Sequence, residues 1–144
     1  MKRMGVLVAT ALLTLVTACS QKEEPGYDVM ETNELIAQIE ALPGVTRVDI
    51  NGNDSAGVGG SQPAYHGQVR VQETADPLEV LDHVLAILWQ GMEGAALDVA
   101  VRRGDTFYDT RSVHLGANRL EERYGEQPGT GVPPTDEPPL ELAE

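Results

Sequence analysis

The sequence predicts an α+β fold: a two-layer sandwich with a small, mainly antiparallel sheet of three to four strands and two helices packed on one face. Three observations carry this expectation. Two apolar runs have helical spacing, Leu35, Ile36, Ile39 and Leu42, then Leu81, Val84, Leu85 and Leu88. Three others alternate with a period of two, around residues 45–50, 65–72 and 97–102. The length left after an apolar leader and an acidic tail suits one domain of ordinary size. One helix cannot bury its stripe alone, so both are expected to cover the sheet. The resulting element order is loosely ferredoxin-like.

The first helix is expected from Val29 to Ala41, with Asp28 and Glu31 in capping-box spacing and Pro43-Gly44 as its stop. A strand follows from Val45 to Ile50, where Val48 and Ile50 alternate with Arg47 and Asp49. The Gly-, Asn- and Ser-rich stretch from Asn51 to Pro63 reads as a flexible connection. In the next strand, Tyr65 to Gln72, Tyr65, Gly67, Val69 and Val71 share one side, and His66, Gln68, Arg70 and Gln72 form a wet face.

Asp76-Pro77-Leu78-Glu79 is a helix start, with an N-cap carboxylate, proline at the first helical position and a glutamate placed to reach back to the cap. That helix runs to about Gln90 and stops at Gly91 and Gly94. Leu97, Val99 and Val101 then alternate with Asp98, Ala100 and Arg102 as a third strand, closed by Gly104-Asp105. Thr106 to Val113 is expected to return as an antiparallel edge, and Asn118 to Tyr124 to form a short helix ended by Gly125. The single domain is thus assigned to residues 27–125. Residues 126–144 are acidic, Pro-rich and free of basic residues, a composition expected to give a disordered or partly extended tail, with deletion of Gln127 to Glu144 leaving the melting temperature nearly unchanged.

The N-terminus is organised differently. Lys2 and Arg3 precede an apolar stretch from Met4 to about Val16, and Val16-Thr17-Ala18-Cys19 leads into polar Ser20-Gln21-Lys22-Glu23-Glu24. The run is shorter than the roughly 20 apolar residues a membrane span needs. Its architecture is that of an export signal. Val16-Thr17-Ala18-Cys19 resembles the lipobox of bacterial lipoprotein precursors. The resemblance covers only the export segment. It implies a signal peptide at residues 1–18, diacylglyceryl transfer to the sulfur of Cys19, cleavage before that residue, and a lipidated tether at residues 19–26. It also implies localisation on the outer face of the cell membrane. Two acyl chains hold a protein stably where one is marginal.

Losing Lys2 and Arg3 would leave 8 basic residues against 23 acidic ones, a formal charge of −15. Such a chain repels nucleic acid and anionic headgroups, so nucleic acid is not an expected partner. With one cysteine in the sequence, and that one assigned to lipid, no internal disulfide is expected.

No catalytic, metal or cofactor residue is nominated. Asp49, Asn51 and Asn53 open like a calcium loop, but Asp54 stands where glycine is needed and Gly60 where a bidentate carboxylate is needed. Gly57-Val58-Gly59-Gly60 is followed by neither the Gly-Lys-Ser/Thr ending of a phosphate cradle nor an immediate helix. His66, His83 and His114 have no close ligand spacing, Asp82-His83 has no evident nucleophile, and Trp89 reads as a core or rim anchor. The expected function is a noncatalytic envelope binding or accessory module acting by protein contact. The alternatives are a small-molecule or cation receptor, and an envelope enzyme whose groups converge only in the fold.

Overall fold

The computed structural model describes residues 29–54 and 62–144. Cys19, the leader expected at residues 1–18, the tether expected at 19–26, Asp28 and the glycine-rich stretch 57–60 lie outside the described residues. The elements are α1 (Thr32–Glu40), β1 (Val45–Asn53), β2 (Ala64–Val71), α2 (Pro77–Leu88), β3 (Ala96–Arg103), β4 (Thr106–Asp109) and α3 (Ala117–Tyr124).

The expected α+β architecture forms, and the four strands lie in chain order, β1-β2-β3-β4. The likeness to ferredoxin-like folds therefore stops at the layers, because the strands are sequential rather than interleaved. Two antiparallel hairpins, β1/β2 and β3/β4, meet at a parallel β2/β3 seam. A parallel pair needs a crossover, and α2 supplies it. That role explains why α2 is buried on nearly every side, from Pro77 to Leu88, whereas α1 buries only Leu35 and Ile39. Between helices and sheet, Leu35, Ile39, Tyr65, Val69, Leu81, Val84, Leu85 and Val101 are fully enclosed.

Local chemistry moves several boundaries. α1 starts at Thr32 rather than Val29, with Glu31 as N-cap, because the Met30 N–H is held by the Gln90 carbonyl at 3.3 Å before the chain turns. Asn51, Gly52 and Asn53 belong to β1, not to the connection, since they pair with His66, Tyr65 and Ala64. The calcium-like letters Asp49, Asn51 and Asn53 thus lie along a strand. β4 ends at Asp109 instead of reaching Val113: the Asp109 carboxylate accepts from both the Ser112 N–H and hydroxyl at 2.9 Å, closing a turn. At the start of α2 the expected N-cap and first-position proline are in place, with Asp76 Oδ1 accepting from the Leu78 N–H at 2.9 Å and the Glu79 N–H at 3.4 Å, while the Glu79 side chain forms no hydrogen bond back to the cap among the described residues. α3 adds a third helix, its end tied to α2 where the Trp89 indole N–H donates to the Gly125 carbonyl at 2.8 Å.

The segment expected as a solvated tail has no regular structure, yet it is laid along the domain. The Gly94 N–H donates to Gln127 Oε1 at 2.9 Å, the Gly129 N–H to the Trp89 carbonyl at 3.2 Å, and the Ala143 N–H to the Ser112 carbonyl at 2.8 Å. Leu140 packs against the core. Composition hid this because the contacts are made by scattered backbone groups, the Gln127 and Glu137 side chains and one leucine, while the prolines reduce the freedom lost on ordering. Deleting Gln127–Glu144 should therefore lower stability by about 1–3 kcal/mol, from the lost apolar cover and hydrogen bonds. Thermal unfolding of the truncated chain checks this; an unchanged melting temperature would restore the solvated-tail expectation.

Candidate interaction face

The helices occupy one side of the sheet, and the other side faces solvent. Alternation assigns the faces: Ile50, Tyr65, Val69, Val71, Leu97, Val99, Val101 and Tyr108 point inward, while Arg47, Asn51, His66, Arg70, Asp98 and Phe107 are exposed. Register then arranges the outer residues in rows across the strands. Arg47 lies opposite Arg70, Arg70 beside Arg102, and Arg102 opposite Phe107. The next rows are Asp49, Gln68, Ala100 and Asp109, then Asn51, His66 and Asp98.

A shift in the β1/β2 register between Val45 and Arg47 creates the first row. Val45 pairs with Val71, so an uninterrupted ladder would set Thr46 opposite Arg70; the extra residue brings Arg47 there instead. Arg47 Nε also meets Asp49 Oδ2 at 2.7 Å, and the Asp49 hydrogen bond, followed by its charge, raises the guanidinium pKa. Arg102 donates to the Gly104 carbonyl at 2.8 Å, reaches Asp105 at 3.3 Å, and lies over the Phe107 ring at 5.3 Å. Phe107 is 53 % exposed. Arg70, exposed on an inner strand, forms no ion pair among the described residues.

The polar groups singled out in the sequence do not converge. His66 Nδ1 sits 3.3 Å from Asp98 Oδ2 on the open face, His83 Nδ1 is 2.9 Å from the Glu79 carbonyl on α2, and His114 lies in the turn before α3 with φ of 53°. No set of three or more His, Cys, Asp and Glu side chains among the described residues could hold a metal ion. A cleft of about 400 Å³ beside the start of α2 contains Thr74, Asp76, Glu79 and His83. Asp76 is engaged as the helix cap there, and no hydrogen bond among the described residues joins His83 to Thr74 or to a carboxylate. Trp89 is 6 % exposed, in keeping with an anchor.

Asp82 is not a partner of His83. Its carboxylate accepts from Arg123 Nε at 2.9 Å and Nη2 at 2.6 Å, and from the Tyr124 hydroxyl at 2.7 Å. Arg123 Nη1 continues to Glu137 at 3.3 Å and to the Pro138 carbonyl at 3.2 Å. This network joins α2, α3 and the C-terminal segment. Burial first, and the Asp82 hydrogen bond second, push the Tyr124 pKa far above the ordinary tyrosine value. Every donor and acceptor is satisfied, which fits a structural tie better than a reactive group.

No protein-family model matches the chain, no curated protein matches its sequence, and no solved structure matches its fold.

Proposed function

We propose that the protein is a noncatalytic binding module of the bacterial envelope, held through lipid on Cys19 to the outer face of the cell membrane and acting through the open face of its sheet. The observation that carries this reading is the uncovered face itself. An exposed aromatic ring and aligned guanidinium groups there have no folding task that polar, β-favouring residues would not perform as well. Dispersed histidines and a fully satisfied Asp82 network support binding over catalysis.

Two experiments test the two halves of this reading. Cys19→Ala should block lipidation and leader cleavage, leaving the chain at its unlipidated precursor mass; an unchanged mature mass and membrane association would remove the anchor. For the face, a photocrosslinking residue at Gln68, in the middle of the open sheet, is compared with one at exposed Glu34 on α1. A stoichiometric adduct from Gln68 but not from Glu34 supports the sheet face. An adduct from Glu34 alone would move the working surface to the helices.

A further inference from the structure

The geometry points to an acidic segment of a partner protein as the occupant of the row Arg47, Arg70, Arg102 and Phe107; this rests on the open sheet face being the binding surface. Like charges directly opposite one another in a ladder are destabilising. Here three of them stand side by side on three adjacent strands, in a chain with only 10 basic against 23 acidic residues. The register shift adds Arg47 to the row in place of Thr46, so the local backbone increases the repulsion rather than relieving it. An anionic occupant would neutralise that repulsion.

The surroundings select the kind of anion. The next row carries Asp49 and Asp109, and the one after it Asp98. A flat anionic bilayer would meet these carboxylates together with the arginines. A narrow segment crossing the strands along the first row meets the three guanidinium groups and the Phe107 ring, and the carboxylates it meets there are Asp49 and Asp105, the surface partners of Arg47 and Arg102 that it would displace. Adjacent strands lie about 4.8 Å apart, and alternate side chains of an extended segment recur about every 7 Å. Two or three carboxylates therefore fall within reach of three long arginine side chains. Arg47 can exchange its exposed partner Asp49 at little cost, and Arg70 has none to give up among the described residues. Phe107, stacked under Arg102, offers an apolar anchor at the row's end. The protein's net charge of −13 discourages an acidic ligand elsewhere, which confines it to this strip.

The test titrates a glutamate decapeptide into the full chain at low salt, with amide chemical shifts as the readout. Shifts along β1 to β4 on the open face, weakening with added salt and reduced roughly tenfold or more in Arg70→Glu, are expected. Equal affinity in Arg70→Glu, or shifts confined to the helices, would overturn the proposal. So would Arg70-dependent binding to phosphatidylglycerol vesicles with no binding of the peptide, which would make the row a lipid-facing surface. If Arg70→Glu retains the Gln68 adduct in the envelope while the peptide fails to bind even the unmodified chain, the sheet face stands and the acidic partner falls. Loss of the Gln68 adduct in the unmodified chain removes both.

Discussion

Asp82→Ala is expected to destabilise the fold by about 3 kcal/mol, at the lower end of the range for breaking one side of a buried ion pair. The side chains of Arg123 and Asp82 are 8 % and 11 % exposed, so water cannot replace the lost carboxylate freely. The substitution leaves the Arg123 guanidinium and the Tyr124 hydroxyl without their shortest partners, while Glu137 and the Pro138 carbonyl still hold one arm of Arg123. Replacing both Asp82 and Arg123 by apolar residues of similar volume should cost less than Asp82→Ala, because no orphaned charge remains. The pH dependence has a defined sign. The folded state raises the Tyr124 pKa, so its contribution is complete below the ordinary value of 10.0 and is lost as pH rises above it. Urea unfolding of the wild type, the two variants and Tyr124→Phe across alkaline pH measures both effects. An Asp82→Ala protein as stable as the wild type would show that the network ties nothing together.

Gly67→Val is expected to be comparably damaging, although valine is among the best strand formers. Gly67 adopts φ of 140°, and a side chain there would be driven into the Asp49 carbonyl of the neighbouring strand. The left-handed strain and the backbone clash each cost on the order of 1–3 kcal/mol. The clash falls on the β1/β2 pairing, so amide exchange should accelerate first in Val45–Asn53. Unaltered exchange and thermal stability would mean that β1 and β2 separate easily at this point.

These two sites mark where sequence legibility ends. Periodicity revealed α2 and the inward faces of β2 and β3, because those patterns lie within one element and burial enforces them. Arg47, Arg70 and Arg102 were each legible as outward residues, but their alignment depends on inter-strand register and on the shift at Thr46, neither of which one sequence contains. Asp82 offered a signal in its place on an otherwise apolar helix, while its partners Arg123 and Tyr124 lie some 40 residues away. For the C-terminal segment, composition reported the prolines and acids but not where Leu140 and the backbone donors would dock.

The most direct test of the central claim is Arg70→Thr, assayed together for thermal stability and for the Gln68 photoadduct in the native envelope. Removing the middle charge of the row should leave the melting temperature unchanged or raise it slightly, since like-charge repulsion is relieved, while the adduct is lost. A lower melting temperature with the adduct intact would contradict the account, placing Arg70 in the structure and not at the binding surface.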